Sequence, residues 1–245
     1  MIWVGTSGFQ YPEWKGTFYP EKLSTAKMLP FYASHFFTTE VNYSFYRIPS
    51  EKTLTNWSGA TPSQFRFSMK APQEITHVRK LRDCTEVLGR FCGVLGSLAG
   101  KLGPVLFQLP PFLRRDIALL KDFLAILPPG LHSAFEFRHA SWFNDETFAA
   151  LKSKNTALCI ADTETLTTPV ALTADFAYFR LRNPGYSKSD IARWAGVIDK
   201  QKGQSKETYV YFKHEESGIG PKFARQLLDE LGIEKPSSDE LIPRV

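Results

Sequence analysis

The stretch SAFEFRHASWF, from Ser133 to Phe143, carries the pattern that decides the fold. Phe135 and Phe137 take one side of its first half, and Glu136 and Arg138 take the other. An alternation with a period of two predicts a β-strand, because successive side chains of a strand point to opposite faces. The strand therefore has one apolar face and one face that carries an acid and a base.

Seven further runs have the composition of strands. They begin at Ile2 (IWVGTS), Phe37 (FTTEVN), Phe65 (FRFSMK), Pro104 (PVLFQL), Ala157 (ALCIAD), Ala177 (AYFRLR) and Thr208 (TYVYFK). Helical patterns separate most of them, and strand–helix alternation predicts a parallel sheet. Eight such units in 245 residues match a (β/α)8 barrel, which typically has about 250 residues. We predict an α/β fold with a single (β/α)8 TIM-type barrel over residues 1–234 and a polar C-terminal tail over residues 235–245.

A doubly wound open sheet is the competing fold. Such a sheet usually has a glycine-rich phosphate loop after its first strand, and GTSGFQYPEW at residues 5–14 is not GxGxxG. Helix signals support the barrel: Asn144 is a predicted N-cap, Pro221 is predicted to open the last helix, and Gly232 is predicted to close it. Pro169 and five threonines in residues 162–175 leave little room for a helix, so we expect the sixth βα unit to be irregular.

Composition bounds the function only loosely. The net charge of +5 and the pI of about 9.0 permit an anionic partner without requiring nucleic acid. Cys84, Cys92 and Cys159 form no CxxC pair and are expected to be free thiols. The sequence has no apolar run of membrane-spanning length and no recognisable signal peptide, so we expect a cytoplasmic protein without membrane contact. The oligomeric state stays open.

The polar sides of the strands predict a ring of side chains that point into the barrel. The predicted ring contains Ser7, Glu40, Asn42, Arg66, Ser68, Lys70, Gln108, Glu136, Arg138, Asp162, Arg180, Arg182, Tyr211 and Lys213. Most of these residues lie at the C-terminal ends of their strands, where barrel enzymes build their active sites. Arg66 comes earliest in its strand and is the member most easily explained as structural. Six cations against three carboxylates favour a phosphate or carboxylate ligand.

The loops add aromatic side chains and histidines to this ring. Tyr11, Trp14 and Tyr46 are candidates for exposed stacking residues, although most loop aromatics are expected to pack the loops down. His77 and His139 can transfer protons near neutral pH. A divalent metal on the carboxylates and histidines is possible, but no metal-binding motif supports it and the cofactor stays unknown.

Several segments together resemble the YecE-like family, also called domain of unknown function 72. They are GTSGFQYPEWKGTFYP, TTEVNYSFYRIPS, FRFSMKAPQEITH, GPVLFQLPP, FEFRHASWF and FAYFRLR, between about residues 2 and 182. The resemblance implies a (β/α)8 barrel with a cavity but no established reaction. It implies recurring polar positions at Glu40, Asn42, Lys70, His77, Gln108, Glu136, Arg138, Asp162 and Arg180. The chain departs from the family pattern at Arg182-Asn183 and Lys213-His214, which makes this side of the barrel more basic.

These observations favour an enzyme, a hydrolase or lyase of phosphoester or sugar-phosphate type. Lys70, Arg138 and Arg180 would hold the anion. Glu40 or Glu136 would act as general base, with His77 as proton donor. The other candidate catalytic residue is Asp162, and the other candidate substrate-binding residues are Asn42, Gln108, His139, Arg182, Tyr11, Trp14 and Tyr46.

Three alternatives remain at this stage. The same cations and aromatics would suit a non-catalytic nucleic-acid or nucleotide binding protein. Glu40 and Glu136 could form the carboxylate pair of a glycoside hydrolase. Lys70 or Lys213 could form a Schiff base, although nothing near either lysine in the sequence lowers its pKa.

Overall fold

Eight parallel strands close into a barrel in chain order in the computed structural model, which describes residues 1–234. The strands are β1 (Ile2–Ser7), β2 (Thr38–Val41), β3 (Arg66–Lys70), β4 (Leu102–Gln108), β5 (Ser133–Glu136), β6 (Ala157–Asp162), β7 (Phe176–Leu181) and β8 (Glu207–Phe212). The predicted (β/α)8 barrel is confirmed. The predicted polar tail over residues 235–245 lies outside the described residues.

Helices surround the barrel. They are α1 (Met28–Ala33), α2 (Tyr43–Tyr46), α3 (Glu51–Gly59), α4 (Thr85–Leu95), α5 (Ile117–Ala125), α6 (Asp145–Lys152), α7 (Lys188–Gln201) and α8 (Ile219–Glu230). A π-helical turn covers Glu74–Val78, and a 3₁₀ segment covers Gly96–Lys101. All helices within residues 1–234 are too short or too polar to span a bilayer.

Most helix boundaries follow the sequence signals. The Asn144 side chain accepts a hydrogen bond of 3.1 Å from the Thr147 N–H, which confirms it as the N-cap of α6. The last helix starts at Ile219, two residues before Pro221, and ends at Glu230, shortly before Gly232. No helix connects β6 and β7 within the described chain, so the predicted irregularity of the sixth unit is confirmed.

The apolar residues divide into an outer layer and a smaller inner layer. The outer layer lies between strands and helices and includes Val4, Phe67 and Phe135. The inner layer fills the barrel and is aromatic at β7 and β8, as with Tyr178 and Tyr211. In β6 the inner residues are Ala157 and Cys159, so the alternate positions of that strand face the helices.

Tyr32 of α1 links β1 and β2 by hydrogen bonds on the outer side of the barrel. Its hydroxyl accepts a 2.8 Å hydrogen bond from the Thr6 N–H and donates a 3.0 Å bond to the Thr38 carbonyl. The ring is fully buried. Gly5 makes room for this hydroxyl, because a Cβ at Gly5 would lie 2.9 Å from the Tyr32 oxygen and 2.1 Å from the Thr38 carbonyl oxygen. The Tyr32 hydroxyl therefore satisfies two backbone groups between β1 and β2.

We expect Tyr32→Phe to lower the free energy of unfolding by about 1–3 kcal/mol, because it leaves a buried N–H and a buried carbonyl unpaired. Urea unfolding measures this. The control is Tyr46→Phe, since the Tyr46 side chain is 74% exposed and its loss of a hydroxyl should change nothing. Equal stability of the two variants would contradict the role of the Tyr32 hydroxyl in linking β1 and β2.

Candidate functional site

A buried arginine between two buried glutamates forms the floor of the barrel mouth. Arg180 of β7 is 0% exposed. Its Nε donates to Glu40 Oε2 at 2.9 Å and its Nη2 donates to Glu40 Oε1 at 2.8 Å. Its Nη1 donates to Glu136 Oε2. The guanidinium thus joins β2, β5 and β7, and it offsets much of the charge of both acids.

Neutral donors complete the hydrogen bonding of the two carboxylates. Ser7 Oγ donates to Glu40 Oε1 at 2.5 Å, and Tyr178 OH donates to Glu40 Oε2 at 2.7 Å. Gln108 Nε2 donates to Glu136 Oε1 at 2.8 Å. All of these donors lie on strands with the inward parity. The floor is therefore a network in which buried charges are paired and hydrogen-bonded.

This network keeps both glutamates ionised. Burial alone would raise the pKa of Glu136, but the charges of Arg180 and Arg182 outweigh burial and lower it to about 2. Burial would also raise the pKa of Glu40, but the charge of Arg180 outweighs burial, so the pKa of Glu40 is lowered too. A carboxylate with so low a pKa is a weak base. The expected role of Glu40 or Glu136 as general base therefore has little support, although both reside where the sequence predicted.

The expectation that Arg180 binds the ligand anion needs correction. Its Nε and both of its terminal nitrogens already donate to Glu40 and Glu136. Because the residue is also fully buried, its guanidinium is not accessible from the mouth. Alternation along β7 correctly predicted its inward direction, but the partners on β2 and β5 decide its role.

Lys70 and Arg138 are cations without a carboxylate partner. Lys70, the last residue of β3, is 8% exposed and its Nζ lies 4.0 Å from the centre of the Phe45 ring. Arg138 follows β5 and lines a small cavity of about 50 Å³ beside Glu136 and Thr168. Neither charged group has a hydrogen bond or an ion pair within residues 1–234. Both can accept an anionic ligand.

Arg182 and Lys213 extend the positive surface along β7 and β8. Arg182 Nη1 lies 3.4 Å from Glu136 Oε1, and its side chain is partly exposed. Lys213 Nζ lies 3.4 Å from Glu215 Oε1. Both line a cavity of about 260 Å³.

Two members of the predicted ring lie elsewhere. Asp162 was expected to point inward, but its Oδ2 accepts hydrogen bonds from Tyr186 OH at 2.8 Å and Trp194 Nε1 at 3.1 Å. This corrects the expectation: Asp162 shares the outward parity of Ile160 and faces α7. Arg66 lies at the opposite end of the barrel, over the Trp3 ring. One cation and one carboxylate leave the ring, so its positive excess is unchanged.

The two candidate histidines differ in their surroundings. His77 packs edge-on against Phe45, with 5.0 Å between ring centroids, and its Nδ1 lies 2.9 Å from Thr76 Oγ1. Burial and the charges of Lys70 and Arg138 lower the pKa of His77, so it is neutral at pH 7 and suits a proton acceptor better than the expected donor. His139 Nδ1 accepts a 3.1 Å hydrogen bond from the Ser141 N–H, a local capping contact.

The three aromatic candidates divide by exposure. Tyr46 is exposed, as expected. Trp14 is fully buried, and its Nε1 donates to the Glu215 carbonyl, which corrects the expectation that it is exposed. Tyr11 is half-buried beside a cavity of about 400 Å³, also lined by Asn42. Asn42 Nδ2 donates to Ser7 Oγ at 2.7 Å, while its buried Oδ1 has no hydrogen-bond partner among the described residues.

Two residues that shape the site were not among the predicted site residues. Tyr178 binds Glu40, and alternation could have found it, because it lies two residues before Arg180. Phe45 contacts both Lys70 and His77 from α2, a placement that strand periodicity does not reveal. No group of three His, Cys, Asp or Glu with metal-binding geometry occurs within residues 1–234.

Comparisons with known proteins place this site in a family context. A family model described as "Protein of unknown function DUF72" matches residues 3–244. The chain is 31% identical over 144 residues to UPF0759 protein YecE of Escherichia coli, covering 58% of this chain and 50% of that protein, so the match spans half the length of this relative. It is 26% identical to UPF0759 protein YunF of Bacillus subtilis, over 96% of each chain.

Solved structures resemble the whole barrel. A DUF72 family protein from Thermotoga maritima has a TM-score of 0.85 at 27% identity, covering 95% of this chain and 99% of that one. A second DUF72 family protein, from Enterococcus faecalis, has a TM-score of 0.82 at 21% identity and covers 100% of this chain and 99% of its own. The second likeness supports the fold alone.

The buried ionic network predicts a specific acid sensitivity. Because folding lowers the pKa of Glu136 from 4.5 to about 2, its ionised form stabilises the fold above pH 4.5, and this contribution is lost as the pH falls towards 2. Glu136→Gln at pH 7 should cost about 3–5 kcal/mol, since it leaves the Arg180 charge undercompensated. Urea unfolding should then show that the difference in free energy of unfolding between wild type and variant becomes smaller as the pH falls from about 4.5 to about 3.

The control is Glu146→Gln, which removes an exposed acid that pairs with Arg115. Because exposed ion pairs contribute little, we expect its free energy of unfolding at pH 7 to lie close to wild type, with a change far smaller than that of Glu136→Gln. A stability gap for Glu136→Gln that stays constant down to about pH 3 would contradict the lowered pKa of Glu136.

Proposed function

The chain belongs to the DUF72 family of proteins of unknown function, and we propose that it is an enzyme, a hydrolase or lyase, whose barrel mouth binds a small phosphate-bearing substrate. The observation that carries the proposal is the pair of uncompensated cations, Lys70 and Arg138, above a floor whose own charges are paired. Burying a cation without a partner is unfavourable, so an anionic ligand at this position would relieve that cost.

The chemistry of the cations favours phosphate. Arginine offers a planar set of donors that matches two phosphate oxygens, and lysine adds a compact charge. Arg182 and Lys213 can extend the positive surface. Arg182 shares its partner Glu136 with Arg180, and Lys213 pairs with Glu215. The cavities of about 260 and 400 Å³ approach the size of a small-molecule site, and Arg138 lines a smaller cavity of about 50 Å³.

His77 is the best-supported proton acceptor of the site. Its neutral imidazole lies near Lys70 and Arg138, whose charges contribute to lowering its pKa. Glu40 and Glu136 then serve to fix Arg180 and the walls around it. This division of roles suits an enzyme in which cations orient the substrate and a separate neutral base moves a proton.

A nucleotide or nucleic-acid ligand is the second candidate, and the rim of the mouth favours it. Tyr43 and Tyr46 of α2 are exposed, with Arg47 beside them. Exposed aromatic and cationic side chains can stack bases and hold a phosphate backbone. A glycoside hydrolase has less support, because the acid of such a carboxylate pair needs a raised pKa, whereas Glu40 and Glu136 both have lowered values.

The proposal predicts that phosphorylated ligands bind and that Arg138 and Lys70 are responsible. Glycerol 3-phosphate should bind, and glycerol should not, in isothermal titration calorimetry at low salt. Arg138→Gln or Lys70→Met should weaken that affinity by about tenfold or more, because each removes a charge-assisted hydrogen bond. Arg114→Gln is the matched control: Arg114 is exposed in the loop after β4 and forms no ion pair within residues 1–234.

Turnover then distinguishes the two candidates. A panel of phosphate esters and sugar phosphates, followed by mass spectrometry, should yield a product that Arg138→Gln no longer forms. Equal affinity for glycerol and its phosphate would overturn the phosphate proposal. Salt-sensitive binding of a single-stranded oligonucleotide, without turnover of any phosphate compound, would favour the second candidate instead.

A further inference from the structure

Lys70 occupies an unusual position for a lysine. Its ammonium group lies over the face of Phe45, and the same ring packs roughly perpendicular to His77. Only 8% of the residue is exposed to solvent. Its Nζ nevertheless has no hydrogen-bond acceptor within the described part of the chain. A structural lysine would normally place its ammonium on a carboxylate or on backbone carbonyls.

Lys101 shows what such a structural lysine looks like in this protein. Burial also lowers the pKa of Lys101, and its Nζ donates to the Thr61 carbonyl at 2.7 Å and to the Ser58 carbonyl. Its amine is therefore engaged. The Lys70 amine is buried to a greater degree, and within residues 1–234 its one contact of this kind is with an aromatic face.

The surroundings of Lys70 favour the neutral amine. Burial is the largest cause, and the charge of Arg180 adds to it; together they outweigh Glu40 and Glu136 and lower the pKa of Lys70 to about 8. This corrects the expectation from sequence that nothing near Lys70 would lower its pKa. At pH 7.5 such a lysine holds roughly two hundred times more neutral amine than an ordinary lysine does. Desolvation beside another cation is a known way to activate a lysine as a nucleophile.

We propose that Lys70 is the nucleophile of this site and that it forms an imine with the carbonyl carbon of a phosphorylated aldehyde or ketone. This inference rests on the proposed phosphate site and deepens it, because it names the substrate class. Lys70 and His77 both contact the Phe45 ring, and Arg138 lines a cavity beside Glu136 on the same side of the barrel. Arg138 would hold the phosphate while the Lys70 Nζ faces the carbonyl.

The chemistry balances without a cofactor. The lone pair of the neutral Lys70 amine attacks the carbonyl carbon, and the carbonyl oxygen takes a proton to give a carbinolamine. Loss of one water molecule, which carries away that oxygen and the two amine protons, leaves a C=N bond. Protonation of the imine nitrogen then makes it an electron sink for breaking a C–H or C–C bond next to it.

His77 can accept the proton that is released when a bond next to the imine breaks. It is neutral at pH 7, and it contacts the same Phe45 ring as Lys70. Burial and neighbouring cations thus lower the pKa of both groups, which leaves the imidazole of His77 able to accept a proton. Of the two reaction classes proposed above, this arrangement favours the lyase.

Borohydride trapping tests the inference on the full-length protein. Incubation with dihydroxyacetone phosphate and sodium borohydride should reduce the imine to a stable secondary amine, which peptide mapping by mass spectrometry should find on Lys70. The rate of trapping should rise with pH to a midpoint near 8, the pKa of Lys70. Dihydroxyacetone, which lacks the phosphate, should react roughly tenfold more slowly, and Arg138→Gln should slow the phosphorylated probe by a similar factor.

One variant and one internal control keep the test decisive. Lys70→Arg should abolish the adduct while thermal unfolding shows that the barrel remains folded. Lys101 in the wild-type protein should stay unlabelled, because its amine is held by carbonyls. Adducts spread over exposed lysines, with none enriched on Lys70, would overturn the inference. If calorimetry still shows phosphate binding that depends on Arg138, the proposed function survives that result; if binding is absent as well, both fall.

Discussion

The ion pairs of Arg180 with Glu40 and Glu136 are the constraint on which the rest of this barrel depends. Two carboxylates and one guanidinium are buried at the centre of the fold, where an unpaired charge would cost several kcal/mol. Each charge is stable there only because the others are present. The three strands that supply them, β2, β5 and β7, are spread around the barrel, so correct closure of the barrel and correct pairing of the charges require each other.

The strands between these three contribute the neutral part of the same network. Ser7 on β1 and Gln108 on β4 each donate to the carboxylate on the neighbouring strand. Tyr178 of β7 adds a neutral donor to Glu40 from across the barrel. Because each of these residues is fixed by a parallel ladder, the network is positioned by backbone geometry and not by loops. Its rigidity explains why the floor is suited to holding a site in place and poorly suited to taking part in proton transfer.

Strand alternation was sufficient to predict the barrel, its irregular sixth unit and the inward direction of Glu40, Glu136 and Arg180. It failed at Asp162, because β6 has inner residues as small as Ala157 and Cys159 and outer residues that are also apolar, so hydrophobicity did not distinguish its two faces. It also could not show which cation meets which acid. That depends on which strands lie opposite one another and on how far each side chain reaches across the barrel. Strand alternation gives no information on loops, so the burial of Trp14 against Tyr11, Phe18 and the Glu215 carbonyl was not foreseen.

The difference between Arg180 and Lys70 is the part of the site that pairing alone explains. Both are inward-facing cations near the C-terminal ends of their strands, and Glu40 and Glu136 influence both. Arg180 lies between the two acids, so its charged form is strongly favoured and its pKa is raised despite burial. Lys70 is buried, has no ion pair with either acid and lies near the like charge of Arg180, so its charged form is disfavoured. Both carboxylates of the floor are thus directed to Arg180, with Arg182 as a second partner of Glu136, and Lys70 is left without a carboxylate partner within residues 1–234.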